Sequence, residues 1–446
     1  MSASANPARS QLAALMRIAG PLLVSNFANI GILVADTVLA GRLGASALAA
    51  VAVGSSVWMT IMLLGMGVLM SLGPVVAHHF GAGKLAAIGA DARQGLWLAG
   101  VGSALSAVVC LNAAPLLTAI GIEPHIVILA EGYLLAISWG APGLFLFTAI
   151  RQICEGIGAP RPIMLVLLGV LPINIALNIV FMYGLFGFPA LGAIGCGLGS
   201  AVSYWLMFMA IMLLTDRAAE FRELAIWRFV EPPDMEALAR LLRIGIPIGI
   251  TLLMEAGLFG ALTLLSGRFG SEVVAAHQIA VNYASLVFMG PLSFAMATTV
   301  TVGHALGAGD RQRARHQANT GVLLCVGFML VTAAVALLIR PTIVGWYTGD
   351  GAVAVVAMEL LVFATTMQPF DGAQIGLMGA LRGYKDTRLP MVSAIAVYWG
   401  VGFTLAYALG IIAGWGITGV WTGIVAAIAL QSCLMTLRLR RVSQVL

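Results

Sequence analysis

The chain has 446 residues, of which 61% are hydrophobic and only 9% charged. Soluble domains carry about 25% charged residues, so this composition excludes a soluble fold; the apolar runs are also too long for the strands of a membrane β-barrel. The formal net charge of +5 is compatible with nucleic acid, but its distribution assigns it to membrane topology.

Taken in chain order, hydropathy predicts an all-α polytopic membrane protein with twelve transmembrane helices. The windows fall at roughly 13–40, 47–77, 94–117, 126–150, 162–184 and 191–215, then 243–266, 273–303, 317–340, 353–380, 389–412 and 416–437. The first run continues to Ala40 with no cleavage site before it, as expected of an uncleaved span and not of a signal peptide. Between the two sets lies the one long polar connection, 216–242, with Arg217, Arg222, Arg228, Arg240 and the bordering Arg243. Within it, Asp234 to Arg240 reads as a short surface helix capped by Asp234. The expected domains are therefore 1–215, a linker 216–242, and 243–446 with a short basic tail.

Of the 23 Lys and Arg residues, only Arg42, Arg268 and Arg340 fall on one side of this topology. The rest lie at the N-terminus, in the loops of the other side and at Arg438, Arg440 and Arg441, so both termini are expected to be cytoplasmic. The basic balance then reflects anionic headgroups, and no nucleic acid is expected as a partner.

The chain repeats itself. An offset of 226 pairs Pro21 with Pro247, Gly44 with Gly270, and His78-His79-Phe80-Gly81-Ala82-Gly83 with His304-Ala305-Leu306-Gly307-Ala308-Gly309; an offset of 227 pairs Pro142 with Pro369, Gly156 with Gly383 and Arg161 with Arg388. Loops that stay on the same side make the halves parallel repeats about a pseudo-two-fold axis normal to the membrane. Two six-helix bundles so related place a substrate cavity between them. The histidine–glycine segments lack P-loop spacing and read as helix ends with glycine C-caps.

Within the spans a few polar residues stand out. Asp371 lies inside an apolar run, with Pro369 just before it as a hinge that frees a carbonyl one turn back. An ionisable group at membrane depth is a functional-site candidate by default, the alternative being a helix–helix hydrogen bond. Glu255 lies ~18 Å beyond Arg243, and Asp371 ~16 Å before Arg382, which puts the two acids at one depth. Two carboxylates at one level either share a cation or hold a proton between them. Their repeat partners are Asn29 and Leu144, so this chemistry is confined to the second half. Asp36 lies ~8 Å from the opposite edge. Asn174 and Asn178 share a helix face, as do Gln278 and Asn282; each pair either lines a polar cleft or joins helices. The five cysteines are read as packing residues, and methionine-rich walls suit promiscuous ligands.

The stretches VVAAHQIA (Val273–Ala280), GHALGAGD (Gly303–Asp310) and LRGYKD (Leu381–Asp386), with the acids Asp36, Glu255 and Asp371, resemble the multidrug and toxic compound extrusion (MATE) family, in its bacterial NorM-like branch. The likeness covers essentially the whole chain. It implies two bundles forming a V-shaped central cleft in the bacterial inner membrane. It also implies secondary active export of lipophilic, mostly cationic organic compounds in exchange for Na+ or H+, by alternating access. Glu255 and Asp371 become the candidate Na+ site, and Asp36 with Asn174 and Asn178 a second polar pocket. Gln278, Asn282 and Met367 become candidates for the substrate cleft. Met367 departs from the pattern: the sodium-coupled members carry a tyrosine there, so one side-chain oxygen is missing. The implied partners are small organic cations and membrane lipids, with no cofactor beyond the coupling ion and a monomer as the working unit. A lipid-linked precursor flippase of the same two-bundle plan is the alternative, but it would favour several cationic residues in the cavity. An enzyme is not expected, because no HExxH or GxSxG pattern occurs.

Overall fold

The computed structural model describes residues 7–227 and 231–445; Arg228 of the linker and the chain ends at 1–6 and 446 lie outside them. Among the described residues every regular element is a helix. The first half comprises α1 (Pro7–Leu43), α2 (Ala45–Leu69), α3 (Leu72–Gly81), α4 (Leu85–Leu111), α5 (Ala113–Ala119), α6 (Pro124–Ser138), α7 (Ala141–Gly156), α8 (Arg161–Tyr183), α9 (Ala193–Arg217) and α10 (Ala219–Arg222). The second half comprises α11 (Met235–Ser266), α12 (Ser271–Gly307), α13 (Arg311–Tyr347), α14 (Gly351–Gly383) and α15 (Arg388–Ala394), then a π-helical stretch Ile395–Phe403, α16 (Thr404–Tyr407), a second π stretch Ala408–Ile412, and α17 (Gly416–Val445). Helix is the form dictated by a bilayer, where each backbone group must find its partner within the segment.

Eleven of these helices or helix runs are long and apolar enough to cross a membrane, and there are twelve if the pair α6–α7, bent by 49°, is counted as one span. The bend has a local cause. Pro142 opens α7 and lacks the N–H that would bond the carbonyl at 138, so the helix breaks at 139–140. Trp205 Nε1 donates to the carbonyl of Trp139 at 2.9 Å across that break. The expected surface helix at 234–240 is not separate: it forms the first turns of α11. Asp234 does cap it, accepting the Glu236 N–H at 2.9 Å.

The chain divides into two compact units. One, the N-unit, is Gly20–Gly249; the other, the C-unit, combines the start of α1 up to Ala19 with the chain from Ile250 onward. The division falls inside α1 and α11, and the linker that precedes α11 is bound into the N-unit. On α4, Gln94 donates to the Pro232 carbonyl at 3.0 Å and accepts the Asp234 N–H at 2.9 Å, while Trp97 Nε1 donates to the Glu231 carbonyl at 2.9 Å. The N-unit core includes Leu39, Trp58, Leu72, Tyr133 and Phe145; the C-unit core includes Leu258, Tyr283, Leu360, Tyr398 and Trp421.

The internal repeat is expressed in hydrogen bonds. Ala82, Gly83 and Lys84 donate backbone N–H groups to His78, Phe80 and His79; Ala308, Gly309 and Asp310 donate to His304, Leu306 and Ala305 at the matching positions. Gly83 (φ 70°) and Gly309 (φ 78°) take the left-handed conformation that ends each helix. These segments are thus helix C-caps, as read from sequence.

Candidate functional site

In the C-unit, α11 brings Glu255 and α14 brings Asp371 into electrostatic interaction. Asp371 is buried, at 7% exposure, and Glu255 is half-buried. Neither carboxylate has a hydrogen bond or ion pair among the described residues. α14 is helical throughout Gly351–Gly383, through Pro369, so the proline removes one hydrogen bond without breaking the helix there. A non-helical residue occurs instead in α13 at Ile339, two positions before Pro341.

Around the acids the structure adds residues that hydropathy passed over. Gln368 and Gln374 lie three positions to either side of Asp371, and both are buried. Gln368 Nε2 donates to the Tyr283 hydroxyl at 2.9 Å, and Gln374 Nε2 to the Tyr398 hydroxyl at 2.6 Å. Tyr398 sits in the first π stretch and interacts electrostatically with both Glu255 and Asp371. Arg382, expected at the cytoplasmic edge, is buried at 7% exposure and acts electrostatically on Glu255.

The N-unit supplies two polar clusters. In the first, Asp36 of α1 accepts from Asn178 of α8 and from the Ser200 hydroxyl of α9, the latter at 3.2 Å. Asn178 also donates to Asn174 at 3.3 Å, and Asn174 donates to the Ser203 hydroxyl at 3.1 Å. Three residues singled out from sequence therefore meet, joined by two serines with no signal of their own. The second cluster was hidden by a boundary. The fourth window stops at 150, but α7 continues to Gly156 with its last turn buried. There Arg151 pairs with Glu155 at 2.7 Å and reaches Asn26 of α1 at 3.1 Å, while Gln152 donates to Glu155 at 3.3 Å. The i, i+4 spacing of Arg151 and Glu155 was the available signal.

Among the described residues, the other sequence-derived candidates make no hydrogen bond to these clusters. Gln278 is exposed on α12, and the exposed Asn282 accepts from the Tyr347 hydroxyl at 2.7 Å. Met367 is 2% exposed within the apolar C-unit core, not on a polar surface. Four cysteines are buried and Cys433 is exposed. Among the described residues, no group of three or more His, Cys, Asp or Glu is arranged to hold a metal ion. Any cation at the acid pair must draw its remaining ligands from neutral oxygens.

The family model MatE matches residues 21–180 and 247–408. The chain is 42% identical over 427 residues to a probable multidrug resistance protein NorM of Xanthomonas axonopodis pv. citri, covering 96% of this chain and 93% of that one. It is 36% identical to the multidrug resistance protein PmpM of Pseudomonas aeruginosa, covering 97% of this chain and 92% of that one. The fold matches the eukaryotic MATE transporter AtDTX14 with a TM-score of 0.88 at 19% identity, covering 98% of both chains. It also matches the Vibrio cholerae MATE transporter VcmN in its bent form, with a TM-score of 0.85 at 18% identity and 98% of both chains covered.

Proposed function

Because this chain belongs to the MatE family, we propose that it is a multidrug efflux transporter of the bacterial inner membrane, exporting lipophilic organic cations against an inward flux of Na+ or H+. The carrying observation is the pair Glu255 and Asp371: two buried or half-buried carboxylates of one unit, electrostatically coupled and with no hydrogen bond or ion pair among the described residues. A carboxylate at membrane depth is both an ion site and a counter-charge for a drug cation. Competition for it couples the two fluxes, since a ligand shifts an equilibrium only by its differential affinity for the two states. The energy suffices: one monovalent ion crossing ~100 mV supplies about 2.3 kcal/mol, enough for roughly a 40-fold drug gradient.

Sodium is the favoured ion. The NorM resemblance supports it, and carboxylates are hard oxygen ligands of the kind it prefers. The Asp36–Asn174–Asn178 cluster acts as a second polar site in the N-unit. A single chain suffices for transport, with both termini cytoplasmic, a reading that the distribution of basic residues supports. A flippase for a pyrophosphate-linked lipid is less well supported. Two buried arginines, Arg151 neutralised by Glu155 and Arg382 interacting electrostatically with Glu255, fall short of the several free cations that a pyrophosphate would favour. The test is ethidium flux in proteoliposomes under imposed gradients. Sodium-driven export is expected, whereas a response to pH alone would assign the coupling to protons.

A further inference from the structure

We propose that Gln374 and Tyr398 complete the cation site of the C-unit, supplying the neutral hard oxygens that Met367 does not. This rests on the reading that Glu255 and Asp371 take the coupling cation, and adds two further ligands to that site. Met367 cannot fill the role, because a thioether sulfur is a poor partner for a hard cation.

Gln374 lies three positions beyond Asp371 on α14, so the two side chains are neighbours on the helix surface. It is fully buried, and its amide nitrogen donates to the Tyr398 hydroxyl at 2.6 Å. Its carbonyl oxygen Oε1 is buried and has no hydrogen-bond partner among the described residues. A buried carbonyl left in this way is costly, and native proteins keep few of them. Tyr398, 1% exposed, interacts electrostatically with both acids and so belongs to the same cluster. Its place depends on the π stretch Ile395–Phe403, which changes the helical register next to the acids. Such stretches are frequent at functional sites.

The pair also explains how the site tolerates loss of the ion. With a cation present, Gln374 Oε1 would ligate it while the amide nitrogen holds Tyr398. Without one, a half-turn of the amide points its N–H groups at the carboxylates, and Oε1 accepts the Tyr398 O–H. Both arrangements satisfy the groups involved, because an amide carries a donor and an acceptor end. Gln368 makes a useful contrast. Its Oε1 is likewise unpaired, but its partner Tyr283 bonds toward the Thr332 carbonyl at 3.4 Å and shows no interaction with the acids.

The experiment is equilibrium binding of radioactive sodium to the purified full-length chain at constant pH, with the thermal midpoint in sodium-free buffer checking that each variant is folded. Gln374→Met should raise half-saturating sodium about tenfold, equivalent to ~1.4 kcal/mol, and Tyr398→Phe about threefold. Gln374→Glu, which keeps the oxygen, should bind at least as tightly as wild type, and Gln368→Met should stay within about twofold of it. Wild-type half-saturation in both folded Gln374→Met and Tyr398→Phe overturns the proposal, as does absence of saturable sodium binding by the wild type. Asp371→Asn tests the underlying reading separately: if it binds sodium normally, the acid pair itself is wrong.

Discussion

Gly199 on α9 lies against Asn178 so closely that a methyl group there would fall well inside van der Waals contact of Asn178 Oδ1, with Cγ at 3.1 Å and the backbone nitrogen at 3.2 Å. Gly199→Ala must therefore displace the Asn178 amide, which carries the hydrogen bond to Asp36. The helix backbone of α8 cannot retreat without disturbing its own hydrogen bonds, so the side chain moves. Losing a hydrogen bond to a charged group costs about 1.5–3 kcal/mol. If Asp36 acts in the transport cycle as a carboxylate held by Asn178, ethidium export should fall by roughly tenfold to 100-fold. Gly169→Ala on α8, where an added methyl meets nothing within 4 Å, is the control and should leave export unchanged. The assay is ethidium export from vesicles for Gly199→Ala, Asn178→Ala and the double variant. Because both changes act through one side chain, the double variant should be no worse than Asn178→Ala alone. Additive losses would refute the reasoning and place the effect of Gly199 elsewhere.

Two further predictions concern packing and one concerns topology. Glu155→Gln leaves Arg151 as a buried charge with an incomplete partner set, and should lower stability by about 3–5 kcal/mol in thermal or denaturant unfolding. A methyl at Gly67 of α2 would meet the backbone of α11 at Gly249, so Gly67→Val should cut the folded yield by size-exclusion chromatography, whereas Gly100→Val, in open space, should not. Reporter fusions at Gly187 and after α17 should report outside and inside respectively; a periplasmically active reporter after α17 contradicts the expected topology.

The number of spans was legible because twelve long apolar runs leave the backbone no other form in lipid. The repeat was legible because matched glycines end matched helices: Gly83 and Gly309 are required by left-handed backbone at both C-caps. Asp371 could be singled out because an acid inside an apolar run is rare at any depth. What escaped had physical reasons. Hydropathy closes a span at its first charge, so Arg151, Glu155 and Arg382 were placed in loops. Pairing inside the protein lets α7 carry two of these charges in its buried last turn. Tyr398 was invisible as a site residue because nothing in a run such as AIAVYWGVGF announces a π register. The helices α1 and α11 each belong to both compact units, a consequence of long-range packing that local patterns do not encode.

The most direct test of the account is ethidium release from de-energised vesicles after a sodium jump at constant pH, comparing wild type with Asp371→Asn and Glu255→Gln. The neutral isosteres keep the shape but cannot exchange one cation for another. The account predicts prompt release from the wild type and none from either variant, with all three inserted at equal levels. Wild-type release by either variant would contradict it.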